Sequence, residues 1–185
     1  MSDRMAPGYR LVVNPDDVAS AVLGKSTWAV LALTCHIELF SQVHYLESIS
    51  PDTGSSQLFK DVFLYHWKEE SQHAILDELE WTRCDKSIGA VERDAAVNDF
   101  IGLVGAVDGI LQAQSAADVE YFCHTADARF TSDQVKELQA GVLRAYRWQY
   151  IVSGAQHPRF LKLLTGMITP AQADRIMQAL GPIVG

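Results

Sequence analysis

From Ser56 to Arg83 the chain reads SQLFKDVFLYHWKEESQHAILDELEWTR, with no glycine, no proline and nothing else that breaks a helix. A segment of that length is far longer than the ten or so residues of a long β-strand, so the fold has to accommodate a long helix. It is preceded by Ser50-Pro51-Asp52-Thr53-Gly54, a loop sequence. Before that loop lies a second long helical segment over residues 26–48, STWAVLALTCHIELFSQVHYLES. A third is expected from about Glu92 to His124, with the unusually apolar middle FIGLVGAVDGILQAQ. The fourth restarts at Thr131, a cap with Gln134 three residues on as its partner, and runs to about Ser153, where Gly154 and Pro158 close it. A short helix should follow over RFLKLLTG, and Thr169-Pro170-Ala171-Gln172 opens the last one. Near the N-terminus, Asn14-Pro15-Asp16-Asp17 reads as a helix start interrupted at Gly24, and Tyr9–Val13 is a short strand-like run carrying Arg10. The expectation is an all-α helical bundle of four long helices with small terminal ones. It forms a single domain over residues 1–185, in which 1–25 are a short extension.

Composition narrows the function. Apolar residues make up 48% of the chain and charged residues 21%, enough to build a core and too little charge for a disordered chain. Fifteen basic residues against 23 acidic ones leave a net charge of −8, which argues against a nucleic-acid partner bound through its phosphates. Cys35, Cys84 and Cys123 are widely spaced and form no CxxC pair, as expected in a reducing compartment. No apolar run follows the charges of MSDRMAPGYR, so no secretory leader is expected there. The strongest apolar stretch, Trp28–Cys35, is far short of the roughly 20 residues that span a bilayer. A soluble cytoplasmic protein with no membrane partner is the expectation.

The chemistry-bearing residues concentrate on the Ser56–Arg83 segment. His66, Glu70 and His73 stand at i, i+4 and i+7, so on a helix they share one stripe, which Asp77 continues by a turn. Imidazole and carboxylate together suit iron, manganese or zinc. Glu38 is the natural further ligand: it lies in the apolar context LALTCHIELF, where a carboxylate is costly to bury unless paired or bound to a metal. An antiparallel hairpin would bring it to the level of Glu70, and the four groups are expected to converge roughly 2.0–2.2 Å from an ion. The competing reading is a solvated, charge-rich helix face. Against it, Phe59, Val62, Phe63, Leu76 and Leu79 call for burial close to the same stripe.

An H-x3-E-x2-H helix preceded about thirty residues earlier by a helix glutamate resembles the ferritin-like di-iron oxygenases of the p-aminobenzoate N-oxygenase type. The resemblance covers roughly residues 30–80. It implies a ferritin-like bundle in which Glu38 is the lone glutamate, His66 the extra histidine, and Glu70 with His73 the E-x2-H pair. Those proteins also carry an earlier helix pair with another Glu and another E-x2-H. The segment before residue 26 is too short for that pair, and no E-x2-H recurs after residue 80. The resemblance is therefore to the C-terminal half, and a second ion would need ligands from the third segment or another chain.

Asp108, between IGLVGAV and GILQAQ, has two readings: a further metal ligand, or the partner of Arg144 or Arg147. Glu120 and His124, with Asp118 nearby, are a weaker ligand pair near a helix end. Tyr45, two turns after Glu38, is the candidate catalytic side chain, as hydrogen-bond or electron donor; the alternative is a packed core tyrosine. Phe40, Tyr45 and Tyr65 are expected to line a substrate pocket, and the cysteines read as small hydrophobes. Two functions follow. One is a non-haem iron (or manganese) oxidoreductase or oxygenase with one or two ions, acting on a small organic molecule. The other is a non-catalytic bundle with an incomplete site, serving oligomerisation or binding. In either case a homodimer is expected to cover apolar helix faces left bare.

Overall fold

The structure, a computed structural model, describes residues 7–184; the first six residues of the expected N-terminal extension lie outside the described residues. It is a helical bundle, with no strand among the described residues. In chain order the helices are α1 (Pro15–Leu23), α2 (Thr27–His44), α3 (Gln57–Ser87), α4 (Ala90–Thr125), α5 (Ser132–Arg147), α6 (Pro158–Met167) and α7 (Pro170–Val184). The expected caps form: Asn14 accepts from the Asp16 N–H, Thr131 and Gln134 make a reciprocal capping box, and Thr169 and Gln172 make the same pair of bonds.

Antiparallel α2 and α3 are the centre of the bundle, and their register can be followed contact by contact. Trp28 Nε1 donates to Asp85 at 3.0 Å, Gln42 Nε2 donates to the Trp67 carbonyl at 3.3 Å, and His44 meets Phe63 edge-on. Asp85 also takes Arg93 of α4 at 2.6 Å, and Asp99 of α4 accepts the Ser26 N–H at 3.0 Å, which caps α2 from a neighbour. The core holds an aromatic cluster. Trp28 lies edge-on to Trp81, Trp81 stacks on Phe160 at 5.6 Å, and Phe100 and His36 pack against Phe160. Phe160 comes from α6, so this short helix reaches into the α2–α3–α4 core. Arg159 beside it pairs with Glu78 of α3, and Arg175 of α7 pairs with Asp94 of α4.

Three local expectations change. Residues 45–49 and 148–152 widen into π-helical turns that continue α2 and α5. Gly154 does not cap a helix: it sits in the helical turn Ser153–Ala155, and a Cβ there would lie 2.8 Å from the His36 Nε2 and carbonyl oxygen. Glycine is required at 154 because α2 and this turn touch. The Tyr9–Val13 run pairs with no strand; instead Gln114 of α4 clips it, accepting the Val12 N–H at 3.1 Å and donating to the Arg10 carbonyl at 3.2 Å. By length and composition α4 has a window of mean hydropathy 1.2, enough to span a membrane. Its Phe100, Leu103, Val104 and Leu111 contribute to the core.

Trp81 is fully buried and holds α3 to Trp28 and Phe160. Trp81→Ala should lower the unfolding free energy by about 3–5 kcal/mol, read as an earlier urea midpoint followed by circular dichroism.

Candidate metal centre

The α2–α3 interface contains a polar seam. On α2, Thr34, Glu38 and Gln42 stand four residues apart and therefore on one face. Thr34, whose hydroxyl donates to the Leu31 carbonyl at 3.1 Å, stands beside Asp77, Glu38 meets Glu70, and Ser71 Oγ donates to Gln42 Oε1 at 2.8 Å. Tyr45 extends the same face and stacks on Trp67 with ring centroids 5.3 Å apart.

Ligand-type groups gather at mid-height. One oxygen each of Glu38 and Glu70 and a ring nitrogen of His73 lie within 4.8 Å of one another. Glu70 is the hub. His73 Nδ1 lies 2.8 Å from its Oε2 and His66 Nδ1 3.0 Å from its Oε1. Its side chain is only 15% exposed, whereas those of His66 and His73 are 51% and 48% exposed. The group thus opens toward solvent on one side and is walled by α2 on the other. His66 approaches through Glu70 and stands outside the convergent trio. Asp77 lies one turn beyond, half-buried against Thr34.

Electrostatics follow from this crowding. Burial first, then the hydrogen bond and negative charge of Glu70, push the Glu38 carboxyl up to about 8. The same hydrogen bond, with His73 and His66, holds Glu70 below the usual carboxylate range. The two shifts run in opposite directions, as expected where ionisation of one carboxyl disfavours ionisation of its neighbour. Two carboxylates and an imidazole are donor types that divalent transition-metal ions take. Asp77 is raised by burial, with Thr34 and His73 acting against it. Cys35, buried on α2, is pushed up to about 12 by burial and by the acids Glu78, Asp77 and Glu38, and remains a thiol.

The other sequence candidates sit elsewhere. Asp108 is not part of the trio. It is held bidentately by Arg147, with Nε–Oδ1 2.6 Å and Nη2–Oδ2 2.9 Å, and also takes Gln112. The arginine pairing offered by the sequence is the one made, and with Arg147 rather than Arg144. A carboxylate so saturated has little left for a metal. Glu120 pairs with Arg10, and Asp118 accepts from Tyr146 at 2.5 Å and Gln114 at 2.8 Å, so neither joins His124.

The expected aromatic pocket does not form from its three named residues. Phe40 packs edge-on to His36 and Tyr150, Tyr45 stacks on Trp67, and Tyr65 is at the surface beneath Lys68. Phe59, Val62, Leu76 and Leu79, expected to be buried, are exposed, because the face of α3 that enters the core is the one carrying Ala74 and Trp81. The sequence reading passed over Thr34 and Gln42; their four-residue spacing around Glu38 was the available signal.

Two outcomes follow. Folding favours the protonated form of Glu38, a contribution complete below the ordinary value of 4.5 and lost as pH rises to about 8. Urea midpoints of the metal-free chain should therefore fall from about pH 5 to pH 8, and Glu38→Gln should flatten that slope. Arg147→Met should cost about 3–5 kcal/mol by stranding the buried Asp108 charge, while metal affinity at Glu70 stays unchanged in calorimetric titration. No family model, curated protein or solved structure matches the chain, so the reading of this centre rests on its own geometry.

Proposed function

We propose that the chain is a metal-dependent oxidoreductase of the ferritin-like kind, holding iron, or manganese in its place, at Glu38, Glu70 and His73. The observation that carries the reading is the convergence of these three donors, with the Glu38 carboxyl pushed up by burial and then by its neighbour Glu70. Such an ion supplies electron exchange with dioxygen and an external reductant, and the substrate is a small organic molecule. The chain does the rest. Glu70 positions His73 and His66 through its two oxygens, Glu38 yields its proton to the solvent when a cation enters, and α2 excludes water from the inner side. Tyr45, further along the same face of α2, is the side chain best placed to pass a hydrogen bond or an electron along the seam. Free thiols at all three cysteines suit a reducing cytoplasm.

A second reading is favoured by a specific observation. Leu58, Val62 and Tyr65, and beyond Glu69 and Gln72 the pair Leu76 and Leu79, are exposed on one face of α3, beside the stripe that carries His66, Glu70 and His73. Under that reading the chain is a non-catalytic bundle whose α3 faces pair in a homodimer. Light scattering tests it: a mass near twice 20.5 kDa is expected, and replacing Val62 and Leu76 by Ser should return it to 20.5 kDa.

Titration with Fe(II) under argon, or with Mn(II), tests the first reading. At an ion concentration about a hundred times the dissociation constant, the parent should gain about 2.7 kcal/mol and melt roughly 5–10 °C higher. Glu70→Ala and His73→Ala should abolish the gain, and affinity in the parent should climb with pH toward about 8 as Glu38 gives up its proton. A parent whose melting ignores both metals overturns the proposal.

A further inference from the structure

Trp67, Ala74 and Trp81 stand seven residues apart and turn α3 toward the bundle: Trp67 takes Tyr45, and Ala74 and Trp81 are fully buried. A side chain seven residues on returns to almost the same face. The opposite side of the helix has a repeat of its own. Leu58, Val62 and Tyr65, then Glu69 and Gln72, then Leu76 and Leu79 follow at spacings of four, three, four, three, four and three. That is the alternation of a coiled-coil seam, kept over three heptads or about 32 Å of helix. Every one of these side chains is exposed, Leu58 by 75% and Leu79 by 63%, and among the described residues no helix covers them.

The order of residues along the seam selects its partner. Both ends are apolar and the middle is polar. A second α3 running the other way, about a two-fold axis between residues 70 and 71, therefore sets like against like. Tyr65 meets the partner's Leu76, Val62 meets the partner's Leu79, and Glu69 meets the partner's Gln72. The Gln72 amide is a donor that the Glu69 carboxylate can accept. A parallel pair in register would instead set Glu69 on the partner's Glu69, like charge on like charge at the centre of the seam. Sliding the antiparallel pair by one heptad, in either direction, would press Glu69 and Gln72 against Val62 and Tyr65 or against Leu76 and Leu79.

The histidines lie on one flank of this seam. His66 follows Tyr65 and His73 follows Gln72, on the side of α3 that bears Glu70. In the antiparallel register this flank meets its own copy, so His66 of one chain stands beside the partner's His73, twice over. Within its own chain His66 turns Nδ1 to Glu70 Oε1 at 3.0 Å, which leaves Nε2 for another partner. The trio of Glu38, Glu70 and His73 is open on that side, and three donors leave a transition-metal ion short of a full set.

We propose that two copies of this chain pair through α3 as an antiparallel two-stranded coiled coil, with Glu69 opposite the partner's Gln72, and that the partner's His66 completes the centre at Glu38, Glu70 and His73. The second part rests on the reading of those three side chains as metal ligands; the first does not. The exposed seam and the open side of the centre then have one explanation.

Cross-linking tests the pairing, in chains whose Cys84 and Cys123 are replaced by Ser. In this register residue 62 lies against the partner's residue 79, within disulfide reach, while the two copies of residue 62 are about 25 Å apart along the axis. A mixture of Val62→Cys and Leu79→Cys chains should form a disulfide-linked heterodimer on oxidation, and Val62→Cys alone should not link. A disulfide between two Val62→Cys chains, or none in the mixture, overturns the pairing. Calorimetry of the linked heterodimer with Mn(II) tests the sharing. With Glu38→Ala on the Val62→Cys chain and His66→Ala on the other, one complete centre remains, and it should bind as tightly as in the linked pair without these changes. With both changes on the Val62→Cys chain no complete centre remains, and affinity should fall by about ten-fold or more. Equal affinity in the two arrangements, or the reverse order, overturns the sharing and leaves the three-ligand centre standing. If the linked pair without these changes binds no Mn(II), the centre fails and the sharing with it, while the pairing is decided by the cross-link alone.

Discussion

The packing of Trp81 between Trp28 and Phe160 fixes the register on which the rest depends. These rings are large, rigid and fully buried, so sliding α3 along α2 by one turn would open a cavity and overfill its neighbour. The Trp28–Asp85 hydrogen bond, itself tied to Arg93, fastens the same end. With that end fixed, Glu38 has no choice but to face Glu70, and the cost of bringing two acids together is met by the core rather than by the acids. This is the usual arrangement for a site that is unfavourable in isolation: local strain persists because the surroundings over-determine it.

Much of the architecture was legible because α2 and α3 lack glycine and proline, and because α1, α5 and α7 begin with recognisable caps. The ligand stripe was legible for the same reason, since His66, Glu70 and His73 belong to one helix and their relation needs no tertiary knowledge. Convergence with Glu38 was legible only through the hairpin. What the sequence concealed depends on neighbours. Phe59, Val62, Leu76 and Leu79 look like core residues, yet the core belongs to the side of α3 bearing Ala74 and Trp81. Gly154 looks like a stop signal, and its role is a close approach to a helix more than a hundred residues earlier. The π-helical turns leave no mark in hydrophobic periodicity, because one added residue shifts the pattern without erasing it. Asp108 admitted two readings, and only the position of Arg147 separates them.

The two faces of α2 use polar groups differently. Toward α3, Thr34, Glu38 and Gln42 all meet partners, and the seam is crowded with donors and acceptors. Toward α6 and α7, His36 is one of very few polar groups in an apolar surround, and one of its two nitrogens is satisfied. His36 Nδ1 shares its lack of a partner with the indole nitrogens of Trp67 and Trp81.

Gly154 has a mechanical consequence. It is the thinnest possible spacer between the turn after α5 and α2, so the width of residue 154 sets how far α2 can settle back from α3. A methyl group there would push α2 forward like a shim, driving Glu38 against Glu70 and narrowing the very gap that a cation would occupy. The calibre of the carboxylate site is thus set partly from the opposite side of the helix, by a residue with no side chain.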